Sequence, residues 1–304
     1  MKETGAITMI AAVVLATHSV LAGPFSRMDV FGDSLSDPGN IGSRYIDKEN
    51  VVNTAPYAGG RYSNGPVYAE LLPGLLGIPG GGVQNFAVGG ALSDNTNNNN
   101  TGTGTLPGLL QQVRSATGLS ASTLNVVWIG GNDYSGFLGN AVGSGLPART
   151  AIDTQITITV NNVVAAITTL AKAGGRNFLV ANLPPMGLTP DGRALAGALA
   201  TNAGSINQIT ARHNVQLAAA MALLRQRLGV TILVMDVNAL FLRIMASPGS
   251  FGFTNVTDPC LTTIANITSV CASPASYLFW DGQHPTAATQ AFLAQYMTSV
   301  ITQH

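Results

Sequence analysis

Five short apolar runs alternate with helix-like stretches, and this alternation constrains the fold more than any other feature of the chain. The runs are Met28–Phe31, Val83–Val88, Leu124–Ile129, Phe178–Leu183 and Val230–Val237. The helix-like stretches are Val67–Leu76, Leu106–Thr117, Ile152–Ala173, Ala194–Leu228 and Ala287–Thr302. Apolar residues dominate the runs rather than filling every second position, so both faces of the strands are expected to be covered. Strands that alternate with helices pair in parallel, because the crossover helix returns the chain to the same edge. The expectation is an α/β fold with a five-stranded parallel sheet. No linker or repeat divides the chain, so residues 23–304 are read as one domain.

The N-terminus reads differently. Lys2 precedes an apolar run, Ala6 to Ala16, and Val20-Leu21-Ala22 places small residues before Gly23. About eleven apolar residues suit the core of a secretory signal and are too few to span a bilayer. Residues 1–22 are therefore expected to be a signal peptide; an uncleaved anchor or a buried helix is the alternative. No other run is long and apolar enough to span, which predicts no stable membrane anchor.

Composition narrows the partners. Charged residues make up 9% of the 304, and fourteen Lys and Arg balance fourteen Asp and Glu. Mean hydropathy is +0.29 and the isoelectric point is near 6.9. A chain this poor in positive charge lacks the basic face that nucleic-acid binding requires, and it is too apolar for a charged, disordered segment. Cys260 and Cys271 are the only cysteines. In an oxidising compartment they can close a small loop, stabilising by roughly 2–3 kcal/mol; in a reducing one they are two free thiols. Neither their spacing nor the sparse histidines suit a metal site. Asp94–Thr105 reads DNTNNNNTGTGT. It is expected to be an exposed, mobile loop that does not pack, either a tolerated insertion or a flexible rim to a site.

Candidate chemistry lies where strands end. The first strand runs into Gly32-Asp33-Ser34, and ligands in such sheets bind at the carboxyl ends of strands. A serine there exposes its hydroxyl, although such a serine also caps helices. A nucleophilic serine needs a base, and the chain has four histidines. His18 lies in the expected signal and His304 is the last residue. His213, between Arg212 and Asn214 in a helical run, reads as a polar-face residue. His284 lies in a loop three residues after Asp281, a spacing that brings a carboxylate onto one ring nitrogen while the other faces out. The alternative is an ordinary turn before a helix that starts with Pro285. Acyl transfer also needs donors for a developing oxyanion. Asn132, after the third strand, and the Gly89-Gly90 pair, after the second, could supply them, or could simply form turns. Asp33 and Asp133 read as turn holders, and Trp128 and Trp280 as packing residues.

Taken together, residues 31–37 (FGDSLSD), 85–91 (NFAVGGA), 130–133 (GGND) and 281–285 (DGQHP) resemble the conserved blocks of the GDSL, or SGNH, hydrolase family, in the family's order. Asn182–Gly187 (NLPPMG), Gly252–Cys260 and the later YLFWDGQHPT are similar to the secreted bacterial esterase/lipase branch, including the passenger domains of esterase autotransporters. No membrane β-barrel segment follows, so a complete autotransporter is not expected. The resemblance implies a flavodoxin-like three-layer αβα sandwich. It also implies Ser34 as nucleophile, His284 as base and Asp281 as its partner. Oxyanion donors would be the Ser34 N–H, Gly90 (or Gly89, after a one-residue slip) and Asn132. It implies no metal and no cofactor. The expected activity is ester hydrolysis by a secreted or periplasmic monomer acting on small-molecule or lipid esters. Phospholipid deacylation, acyl transfer, carbohydrate deacetylation and a non-catalytic binding role remain as alternatives.

Overall fold

The computed structural model describes residues 25–43, 55–100, 105–264 and 267–303. The expected signal peptide lies outside these residues. The chain runs β1 (Arg27–Gly32), α1 (Asn40–Ser43), α2 (Tyr68–Leu75), β2 (Val83–Asn85), α3 (Leu109–Gln112), β3 (Thr123–Trp128), α4 (Gly131–Gly139), α5 (Arg149–Lys172) and β4 (Asn177–Ala181). It continues with α6 (Pro190–Ala198), α7 (Ala203–Leu228), β5 (Thr231–Met235), α8 (Val237–Ala246), β6 (Asn255–Pro259), β7 (Leu261–Ile264), β8 (Ile267–Val270), β9 (Tyr277–Phe279) and α9 (Ala287–Thr302).

The five expected strands form one parallel sheet in the order β2-β1-β3-β4-β5. β1, β3, β4 and β5 are largely apolar on both sides because each side meets its own helical layer. Phe31, Val127, Phe178, Val180 and Ile232 point into a core shared with α3, α4, α5 and α7. Val30, Val126, Leu179 and Met235 point the other way, into a core shared with α2, α8 and α9. The result is the three-layer sandwich that the alternation predicts. Its strand order switches direction at β1, with β2 on one side and β3 on the other. A crevice opens at the carboxyl ends of the strands at such a switch.

Three of the stretches read from the sequence take a different form in the structure. The long stretch Ala194–Leu228 is two helices. Thr189 caps α6 and Pro190 starts it. The chain then breaks at Ala200, whose φ is +51°, before the Asn202 side chain caps α7 by accepting the Ser205 N–H. The stretch Leu106–Thr117 makes only the short α3 and a following 3-10 turn. The third departure is Asp94–Thr105, expected to be exposed and unpacked. Its residues 101–104 lie outside the described residues, but Asn97 is only 5% exposed and pairs in an antiparallel bridge with Ala91.

His213 is not on a polar face. It is 1% exposed and belongs to the buried stripe Ile206, Ile209, Thr210, His213, Leu217, Met221 and Leu224 of α7. Arg212 and Asn214 flank it in sequence, yet each helical step turns about 100°, so adjacent residues occupy other faces. Its Nδ1 lies 2.7 Å from the Tyr134 hydroxyl of α4. Burial pushes the imidazole down to about 4, so the ring is neutral and shares one hydrogen bond with that hydroxyl. Cys260 and Cys271 form a disulfide that closes the β7–β8 hairpin. Among the described residues no helix is long and apolar enough to cross a membrane.

The His213 environment has a thermodynamic consequence. The folded state binds this proton more weakly than the unfolded state, so stability is lost as pH falls from 6.5 towards 4. A fall from 6.5 to about 4 corresponds to roughly 3 kcal/mol. Urea unfolding of the wild type and His213→Gln at pH 7 and pH 4.5 measures the effect. The variant is expected to lose roughly 2–3 kcal/mol less than the wild type over this interval; equal losses would refute the assignment.

Candidate active site

β1 ends at Gly32, and that residue is held from two sides. Its N–H donates to the Gln112 side chain and its carbonyl accepts from the same amide, both at 2.9 Å. The Val88 N–H, beyond β2, donates to the same carbonyl at 3.1 Å. The chain then turns sharply. Asp33 accepts the Leu35 N–H through its side chain at 3.0 Å and the Ser36 N–H through its carbonyl at 3.0 Å. Asp33 thus holds the turn, as its position suggests. Ser34 sits at the apex, 7% exposed.

Asp281 and His284 arrive from the other end of the chain. They follow β9 in a tight loop fixed by a bridge between Phe279 and Pro285 and by a 2.7 Å bond from the Trp280 N–H to the His284 carbonyl. The three side chains meet in a line. His284 Nε2 is 2.8 Å from Ser34 Oγ, and His284 Nδ1 is 2.8 Å from Asp281 Oδ2 and 2.9 Å from Oδ1. Asp281 is heavily solvated by protein donors. Its Oδ1 accepts the N–H groups of Gln283 and His284 at 2.9 and 2.8 Å, and its Oδ2 accepts the Tyr57 hydroxyl at 2.8 Å.

Electrostatics follow from this geometry. Burial alone would lower the His284 pKa. The Asp281 carboxylate against its ring, together with Asp33 and Asp191, outweighs burial and holds it above the ordinary value. Burial pushes Asp281 upward, but the imidazole and the two backbone donors overcome it, leaving it below the usual carboxylate range. Asp33 has no such compensation; burial pushes it up to about 7 against the Leu35 amide and the His284 charge.

The candidate oxyanion donors are placed as follows. Asn132 is in the first turn of α4 and uses one amide N–H on the Ala91 carbonyl at 3.0 Å. The Gly89 N–H is committed to Asp37 Oδ2 at 2.8 Å, whereas the Gly90 N–H has no acceptor among the described residues. Asp133 does not hold a local turn: it lies in the first turn of α4 and accepts the N–H and hydroxyl of Ser93, 40 residues away, at 3.0 and 2.5 Å. Trp128 and Trp280 are both buried, the first against Tyr68 and the second against Tyr57.

Ser34, Asn132 and His284 open onto a cavity of about 280 Å³. Leu138, Leu183, Met186, Leu195 and Ile206 give it an apolar wall, and Asp191 and Gln283 stand on its rim. Asp191 ties α6 to the histidine loop: its N–H donates to the Gly282 carbonyl at 2.9 Å and its carboxylate accepts the Gln283 amide at 2.9 Å. Sequence reasoning missed Tyr57, Gln112 and Asp191, whose contacts cross 224, 80 and 92 residues. It also missed Tyr62, whose ring lies over His284 with centroids 4.9 Å apart. No local pattern marks any of the four. Among the described residues, no group of His, Cys, Asp and Glu could hold a metal ion.

Comparison with known proteins agrees with the likeness of the sequence blocks. The family described as GDSL-like Lipase/Acylhydrolase matches residues 30–297. The chain is 27% identical over 288 residues to the thermolabile hemolysin of Vibrio parahaemolyticus, covering 90% of this chain and 63% of that protein. It is 28% identical over 262 residues to the phosphatidylcholine-sterol acyltransferase of Aeromonas hydrophila, covering 84% and 71%. With Esterase EstA of Pseudomonas aeruginosa the figures are 26% over 343 residues, 97% of this chain and 50% of that one. The chain thus spans between half and two thirds of the hemolysin and of the Pseudomonas esterase. Among solved structures, phospholipase A1 from Streptomyces albidoflavus matches with a TM-score of 0.48 and 18% identity, covering 92% of this chain and 99% of that one. With the matched region extending over most of its length, the chain belongs to the GDSL-like lipase/acylhydrolase family.

Proposed function

We propose that this protein is a secreted serine esterase that hydrolyses carboxylic esters through an acyl-enzyme. The observation that carries this reading is the line Asp281–His284–Ser34, with contacts of 2.8 Å at each step, at the mouth of an apolar cavity. In the first half-reaction His284 Nε2 takes the Ser34 hydroxyl proton while Oγ bonds to the ester carbonyl carbon. Asp281 holds the ring in the tautomer that leaves Nε2 free to accept, and stabilises the imidazolium that forms. Negative charge moves to the former carbonyl oxygen, where the N–H groups of Ser34 and Gly90 and the Asn132 amide receive it. Gly90 is preferred to Gly89 because the Gly89 N–H is already bonded to Asp37. The alcohol C–O bond then breaks as His284 returns the proton to the leaving oxygen. Water, deprotonated by the same imidazole, repeats the sequence on the acyl-enzyme and frees Ser34.

The cavity supports an acyl group longer than acetyl. Its wall is aliphatic, and each methylene it buries contributes roughly 0.8 kcal/mol. Export is supported by the apolar run Ala6–Ala16 and by the Cys260–Cys271 disulfide, since such bonds persist in oxidising compartments.

Three measurements test these statements. Ser34→Ala should abolish p-nitrophenyl butyrate hydrolysis in folded protein, and a fluorophosphonate should label Ser34 in the wild type; an active alanine variant would overturn the mechanism. Along the p-nitrophenyl ester series from acetate to butyrate, kcat/KM should rise about threefold to fourfold per methylene; a flat or falling series would remove the acyl cavity from the proposal. The pH–rate profile is the third test. His284 must be neutral to accept the serine proton and its pKa is raised, so activity should be lost as pH falls through a midpoint above 6.5. A midpoint below 6 would contradict a carboxylate-paired histidine base.

A further inference from the structure

We propose that Asn97 and Asn99 are positioning residues that aim the Gly90 N–H at the oxyanion, a role resting on the ester-hydrolase reading above. Both side chains donate to one acceptor. Asn97 Nδ2 reaches the Gly89 carbonyl at 3.0 Å and Asn99 Nδ2 reaches it at 3.1 Å. That carbonyl and the Gly90 N–H belong to the same peptide unit. The unit is planar and trans, so the two groups point in opposite directions, and fixing the oxygen fixes the N–H. Two donors on the carbonyl also polarise the amide, which strengthens its N–H as a donor.

The surrounding geometry allows this plane little freedom. The preceding peptide is held by the Gly89 N–H on Asp37. Gly90 has a φ of +78°, and a Cβ there would lie 2.5 Å from Asn99 Nδ2 and 2.7 Å from Asn97 Oδ1. The clamp itself is rigid: Asn97 is buried, its Oδ1 accepts the Asn99 N–H at 2.8 Å, and the Asn98 N–H returns to the Gly90 carbonyl at 2.9 Å. Asn99 also reaches the Tyr62 hydroxyl at 3.3 Å. The Tyr62 ring packs so closely on Gly89 that a Cβ there would meet it at 2.2 Å, and its centroid lies 4.9 Å from that of His284. The asparagine-rich segment is thus a buttress built against the donor turn.

The test uses the full-length enzyme with p-nitrophenyl butyrate. Asn97→Asp keeps the shape and the acceptor for the Asn99 N–H but replaces the donor; Asn99→Ala removes the other donor. We expect kcat to fall about tenfold in each and about a hundredfold in the double variant, with KM within twofold of wild type. Affinity for a phenylboronic acid, whose tetrahedral Ser34 adduct carries an oxygen in the oxyanion position, should fall by the same factor as kcat. A purely structural role would lower the thermal midpoint and leave kcat and boronate affinity unchanged, and that result overturns the proposal. If Asn97→Asp does not fold, Asn99→Ala decides alone. Ser34→Ala is measured in parallel. Loss of activity there with unchanged kcat in the asparagine variants rejects this inference only, whereas retained activity rejects the ester-hydrolase reading and this inference with it.

Discussion

A sheet that is apolar on both faces leaves no wet surface on which polar chemistry can sit. Every side chain of β3 is buried, and the residues of β1 alternate between two separate cores. Functional groups must therefore stand beyond the strand ends, and the switch in strand order at β1 decides which ends face a crevice. Ser34 lies two residues past β1 and Asn132 four past β3, on neighbouring strands of matched register. Asp281 and His284 belong to no strand of this sheet. They reach the crevice because the loop after β9 is pinned from within by the Trp280–His284 bond and from outside by Asp191 of α6.

What was legible in the sequence depended on how locally each feature is determined. The terminal helix was read to the residue, since Thr286 caps it and Pro285 stops the preceding loop. The five strands were found within one to three residues at each end because their apolar runs serve two cores at once. α4 was not found: its sequence GNDYSGFLG carries three glycines and a small hydrophobic face. It is held by long-range bonds, Asp133 to Ser93 and Tyr134 to His213. Ser34, Asp281 and His284 stood out because a chain with four histidines and few acids has few ways to build a base. Their supporting residues did not, because a hydrogen bond such as Tyr57 to Asp281 spans 224 residues and leaves no periodic trace.

The same scarcity of charge shapes the electrostatics. Buried carboxylates here are held by N–H and O–H groups more than by cations. Asp37 accepts four backbone N–H groups and Asp133 accepts a backbone amide and two hydroxyls. Burial still pushes each of them up to about 6. With Asp33, Asp191 and Asp281 grouped around one imidazole, the region favours a cationic histidine. Under the proposed mechanism that bias is useful, because an imidazolium would have to be tolerated while a tetrahedral intermediate persists.

The break between α6 and α7 sets α6 apart as a separate unit. α6 starts at its own proline, ends in its own left-handed residue, and buries only Gly192 and Ala196. It joins the histidine loop through backbone and amide contacts at Asp191, while Gly192 and Leu195 line the cavity. A segment bounded in this way leans on the rest of the molecule through few buried side chains. Under the proposed reading, part of the acyl cavity and the sheet that supports it are carried by separate stretches of chain.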